Sequence, residues 1–217
     1  GVQMILLVED SIRFYSSILP NLYNYILEQS KNFSKEALNR HAATMRMRGR
    51  PKVVLARTYE EAQKLYDKYS DNTLGVISDA RFPLKSAAKA FGNEVMPEEK
   101  PKHRTDTFGR EKCPDAGLQL FRYIRKNDPF VPLIIESSES ENRAKAEAEG
   151  FRFVDKNSKK MSVDLRRLME EHMGFGDFIF RDPKTHEEIM RIHSLKELQD
   201  NIFNIPNDSM LYHISRN

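Results

Sequence analysis

The chain has 217 residues, and its 35 lysines and arginines against 32 aspartates and glutamates leave a formal net charge of +3. So small a basic excess makes no electrostatic case for a nucleic-acid partner, and a single cysteine, Cys113, excludes an internal disulfide framework and fits a reducing compartment. No apolar run reaches the ~18 residues of a membrane span and nothing at the start has the basic-then-apolar build of a signal peptide, so the expectation is a cytoplasmic protein with one main domain and an appendage.

Residues 4–8, MILLV, form a continuous apolar run of strand length that ends in Glu9 and Asp10, a pattern that suits a strand buried on both faces of a parallel sheet. From Ser11 to about Met47 the apolar spacing predicts a long helix, bent near Pro20. PKVVLA, 51–56, is the second strand. The next helix is opened by Thr58 with Glu61 three residues on, the pattern of a capping box. A third strand, 74–78, runs into Asp79 and closes at Pro83 in the stretch GVISDARFP.

Residues 84–114 are rich in lysine, glutamate and proline with no clear period, and are expected to be an inserted flexible loop. Asp115 is expected to cap the helix AGLQLFRYIRKN. The fourth strand is VPLIIES, 131–137. An alanine- and glutamate-rich helix then stops at Gly150, a helix-end glycine. FRFVDK, 151–156, is the fifth strand, and a helix over 162–174 follows. Five strand–helix alternations predict an α/β fold: a parallel sheet with right-handed crossovers and helices on both faces. In such sheets, sites form at the carboxyl ends of the strands.

Glu9, Asp10, Asp79, Ser137 and Lys156 all fall at or just past such ends. Three carboxylates and one ammonium carry a formal charge of about −2, and hard oxygen ligands with room for water and phosphate oxygens suit Mg2+. Without a metal the acids would repel one another and raise their own pKa values.

This set resembles the receiver domain of two-component response regulators, the CheY-like superfamily, over residues 4–173. The resemblance implies a flavodoxin-like, doubly wound five-stranded sheet. It implies that Asp79 is the phosphoacceptor and that Glu9, Asp10, Asp79 and the backbone carbonyl of Ala80 hold magnesium. Ser137 would be the switch hydroxyl, Lys156 the partner of the phosphoryl oxygens, and Phe153 the switch aromatic; Pro83 fits the loop after the acceptor. Three features depart from the family pattern. Asn157 stands where a proline is usual, Ser138 competes with Ser137 for the hydroxyl role, and the 84–114 insertion is far longer than the norm.

Other readings are weaker. A haloacid-type phosphatase wants an aspartate where Arg81 stands. His41 as a phosphohistidine, zinc at Cys113 and His103, and nucleic acid at the basic run 46–52 each have a blander explanation in surface or turn chemistry. Beyond Gly174 the sequence predicts strand, turn at Asp182 and Pro183, strand, and a helix capped by Ser194 and ended before Pro206. These 44 or so residues are too few for a core of their own, so the division expected is 1–173 and a ββα extension at 174–217, reading on into a further domain. The tail, the long first helix and GVISDARFP are together similar to the amino-terminal receiver region of proteins related to phosphoenolpyruvate synthase and pyruvate phosphate dikinase. The function implied is a regulatory module, not itself an enzyme, in a phosphorelay. Its partners would be a histidine kinase or small phosphodonor, a downstream catalytic domain of the same chain, and a homodimer mate. The competing reading is a non-phosphorylated receiver used as a docking scaffold.

Overall fold

A computed structural model describes residues 2–35, 49–86, 105–106, 108–175, 177–185 and 187–214. The apolar runs form the strands expected of them: β1 (Met4–Val8), β2 (Lys52–Ala56), β3 (Thr73–Asp79), β6 (Leu133–Ser137) and β7 (Arg152–Asp155). They make one parallel sheet in the order β2-β1-β3-β6-β7. That order is the flavodoxin-like doubly wound arrangement, with a crevice where the chain reverses direction between β1 and β3. The sheet is flanked by helices, as parallel strands need crossovers to connect them.

Strand alternation sorts the side chains. Leu6, Val8, Val76, Leu133 and Ile135 enter one buried cluster with Leu120, Phe121 and Ile124 of α3 (Ala116–Asn127), while Ile5, Leu7, Ile77 and Ile134 are fully buried on the opposite face. A sheet buried on both faces leaves its carboxyl ends as the place where polar groups can emerge.

Local signals explain the element ends. Helix α2 (Tyr59–Tyr69) opens with the Thr58 hydroxyl accepting from Glu61 N at 3.2 Å, and Glu61 returns by accepting from Arg57 N at 2.8 Å. Helix α4 (Glu141–Ala148) ends at Gly150 with φ +75°, and Phe151 N bonds Ala146 O at 2.9 Å across the turn. Asp115 departs from its expected role: it sits at the start of α3 but its side chain makes no cap bond, pairing instead with Lys145 at 3.1 Å.

The first helix, α1 (Ile12–Lys35), retains Pro20 within it, and its expected continuation through 36–47 lies outside the described residues. The insertion is not structureless where it is described. Near its end it pairs with the two residues that precede it, β4 (Phe82–Pro83) with β5 (Lys112–Cys113), extended by a bridge between Thr105 and Glu111. A strand as short as β5 leaves no hydrophobic period by which composition could mark it.

The chain divides into two compact units, residues 1–24 with 51–162, and residues 25–50 with 163–217. The second unit contains α5 from residue 163 (Met161–His172), the antiparallel hairpin of β8 (Phe178–Arg181) and β9 (Glu188–Ile192), and α6 (Leu195–Asn201), whose first turn is capped by the Ser194 hydroxyl accepting from Glu197 N. The turn at Asp182 is closed by Lys184 N and Thr185 N donating to its Oδ1. A further helix, α7 (Asn207–Ile214), follows Pro206 and adds to the hairpin and helix expected. Phe180, Ile192 and Ile205 form the centre of this unit's small core.

Candidate functional site

Every site residue expected from the sequence lies in the first unit. The carboxyl ends of β1 and β3 bring Glu9, Asp10 and Asp79 together, each offering one oxygen, with these atoms all within 4.8 Å of one another. Glu9 and Asp10 have no exposed surface. Lys156, from the turn after β7, lies 3.1 Å from Asp79 Oδ1 and forms a short contact with Glu9 Oε2. Glu9 Oε1 accepts from Ser11 N at 2.9 Å, and Asp79 Oδ1 accepts from Ala80 N at 2.8 Å.

Burial dominates the electrostatics. Loss of water, and then the charge of Asp79, push the Glu9 carboxyl up to about 8 against the pull of Lys156. Burial also raises Asp10, opposed by Lys112. Burial would lower Lys156, but Asp79, Glu9 and Glu136 outweigh it and hold the ammonium above its ordinary value, so it stays charged.

Two members of the cluster were not read from the sequence. Glu136, paired across the ladder with Asp79, is wholly buried with no hydrogen-bond partner for either carboxyl oxygen, and burial lifts it to about 7. An acid inside the apolar run VPLIIE was the available signal. Lys112 of β5 reaches Asp10 Oδ2 at 2.7 Å, and nothing in the insertion's composition singles it out. The pocket then holds four carboxyls and two ammoniums, a formal balance of about −2 with all of them ionised.

The other expected residues are placed as follows. The Ala80 carbonyl accepts from Gly117 N at 3.0 Å. A Cβ on Gly117 would stand 2.3 Å from Asp79 O, so only glycine lets α3 approach the Asp79–Ala80 turn this closely. Ser137 Oγ accepts from Asn142 Nδ2 at 2.9 Å and from Glu139 N at 3.1 Å, and its carbonyl takes Lys156 N at 3.0 Å. Ser138 is exposed, whereas Ser137 is buried at the strand end. Phe153 packs half-buried against the core with the Arg143 guanidinium 4.6 Å from its ring centre. Asn157, in the place of the usual proline, donates to Ser138 O at 2.9 Å and so ties the loops after β6 and β7. Arg81 pairs with Glu139 at 3.0 Å. His41, His103 and residues 46–48 of the basic run lie outside the described residues, and Cys113 is a free, half-buried thiol. Among the described residues, no helix is long and apolar enough to cross a membrane.

The donor set fits magnesium: three hard carboxylates converge, and Asp10 Oδ1 is buried without a hydrogen-bond partner.

No family model and no curated protein matches the chain. Among solved structures it is similar to the signal receiver domain of an HD domain-containing protein from Pseudomonas fluorescens Pf-5, at 17% identity and TM-score 0.47, covering 80% of this chain and 96% of that one. The receiver domain of a sensor histidine kinase from Pseudomonas aeruginosa PAO1, solved with magnesium coordinated in its active-site cleft, is 17% identical with TM-score 0.46, covering 80% and 99%. A response regulator receiver domain protein from Clostridium thermocellum gives 17% and 0.46, covering 80% and 95%. The likeness is one of chain path; the chemistry has to come from the side chains.

Proposed function

We propose that this chain is a signal-receiver module that accepts a phosphoryl group on Asp79 in a magnesium-dependent phosphorelay. The observation that carries the proposal is the convergence of Glu9, Asp10 and Asp79 oxygens within 4.8 Å, with Lys156 Nζ in contact with both Glu9 and Asp79.

Glu9, Asp10 and Asp79 would hold the metal, which supplies charge neutralisation for the transferring oxygens. The Asp79 carboxylate attacks phosphorus, a new carboxylate–phosphorus bond forms, and the bond to the donor's imidazole nitrogen or acetate oxygen breaks with its electron pair leaving on the donor. Ala80 N–H and Lys156 fix the plane of the attacking carboxylate through Oδ1. Lys156, held charged by its acidic neighbours, stabilises the charge on the phosphoryl oxygens. Ser137 would exchange its bonds to Asn142 and Glu139 for one to a phosphoryl oxygen, and Phe153 would turn with it. The module is regulatory and not an enzyme in its own right.

The partners we propose are a histidine kinase or small phosphodonor, a second copy, and a downstream catalytic domain of the same chain. A domain of the phosphoenolpyruvate synthase or pyruvate phosphate dikinase type is suggested by the sequence resemblance alone. The test of the central proposal is intact-protein mass after incubation with acetyl phosphate. One phosphoryl group is expected with magnesium, and none without it or in Asp79→Asn; a folded protein that binds no magnesium and gains no mass would be a docking scaffold instead.

A further inference from the structure

Lys112 stands in the pocket on different authority from Lys156. It comes from the insertion rather than from the sheet, yet it is firmly placed. Its backbone pairs with Pro83, and Cys113 with Phe82, only a few residues past the phosphoacceptor. The turn leading to it is closed by Asp106, whose Oδ1 accepts from Phe108 N at 2.9 Å and Arg110 N at 2.8 Å and whose Oδ2 pairs with the Arg110 guanidinium. Phe108 lies with its ring centre 4.4 Å from the Arg57 guanidinium, which pins this turn beside the end of β2. The ammonium so delivered sits 2.7 Å from Asp10 Oδ2, with Lys112 16% exposed and Asp10 not at all.

Asp10 is also one of the three carboxylates that converge as a cation site. An ammonium is a point charge with three donors and no geometric demand beyond proximity, whereas magnesium requires a tight octahedral shell of oxygens and sheds its water reluctantly. Two cations drawn to one buried carboxylate repel each other across a low-dielectric gap.

We propose that Lys112 is a tethered counter-ion on the Asp10 side of the metal site, so that a divalent cation binds in competition with its charge and the insertion thereby sets the module's metal affinity. This rests on the receiver reading, because it assigns the same acids to magnesium. By linkage, whatever strengthens the ribbon of β4 and β5 weakens metal binding, and metal in turn loosens Lys112 from Asp10.

The experiment titrates magnesium alone, with no phosphodonor, into the wild-type chain and into Lys112→Met and Lys112→Arg, read by calorimetry at low ionic strength. Lys112→Met should bind magnesium on the order of tenfold more tightly, while Lys112→Arg, which keeps the charge, should stay near wild type. Thermal melting of the same samples should show Lys112→Met destabilised without magnesium, where Asp10 has lost its partner, and recovered with it. If Lys112→Met does not fold, Lys112→Gln takes its place with the same expectation. Equal or weaker affinity in the uncharged variant overturns the role of Lys112 and leaves the receiver reading intact. No magnesium binding by any of the folded proteins overturns both.

Discussion

The carboxyl end of the parallel sheet and the β8–β9 hairpin both carry clustered ion pairs, and they differ in one respect. On the hairpin, Arg191 lies 2.9 Å from Glu188 and 3.3 Å from Asp177, all three at least 31% exposed. At the sheet end, Glu9, Asp10 and Lys156 are at most 2% exposed in their side chains. Exposed pairs exchange one set of water contacts for another and contribute little. Buried ones forgo hydration that their mutual attraction only partly returns. A chain that keeps an unfavourable buried cluster, including a wholly buried and unpartnered Glu136, has a use for its charge.

Breaking the buried side should therefore have the larger effects. Asp79→Asn should abolish magnesium-dependent phosphorylation outright by intact mass, with the fold retained by circular dichroism. Lys156→Met removes the ammonium shared by Glu9 and Asp79; it should cost roughly 3–5 kcal/mol in denaturant unfolding without metal and should slow phosphorylation. Gly117→Ala forces α3 away from the Asp79–Ala80 turn and should cost about 1–3 kcal/mol by the same measurement.

The pH dependence sharpens the comparison through its sign. Glu9 and Glu136 have folded values near 8 and 7 against the ordinary 4.5. The folded state therefore keeps protons that the unfolded chain has released. Their contribution is fully present below about pH 4.5 and is lost as pH rises through 7 and 8. Without metal, the melting temperature of the unit holding the site should fall by on the order of ten degrees between pH 5 and 8, and magnesium should restore more at pH 8 than at pH 5. A metal-free melting temperature that rises over this range would contradict the burial of the cluster. At the other extreme, Arg191→Gln on the hairpin should change stability by no more than ~0.5 kcal/mol.

What could be read from the sequence follows the same division. Glu9, Asp10, Asp79 and Lys156 end apolar runs, and a run buried on both faces marks its own carboxyl end, so the strands and the principal acids were legible to within two residues. Glu136 was hidden because an acid next to the strand's terminal Ser137 reads as a solvated end, and only the ladder opposite Asp79 shows it to be inside. Lys112 was hidden for a different reason. Its partner Asp10 is about a hundred residues away, and a two-residue strand has no period to announce it. The anchoring of Ser137 by Asn142 depends on how α4 sits after its strand, which spacing does not fix. Helix α7 follows a proline and is too short for a decisive apolar stripe.

The fit of Gly117 against Asp79 has a mechanical consequence. With the Gly117 N–H on the Ala80 carbonyl and no free space at its Cα, the Asp79–Ala80 turn and the head of α3 cannot slide past each other. The helix is stiff over its 12 residues, about 18 Å at 1.5 Å per residue. If Asp79 is the group modified, a shift of a few tenths of an ångström there would be carried along the helix as a lever stroke to its far end at Asn127.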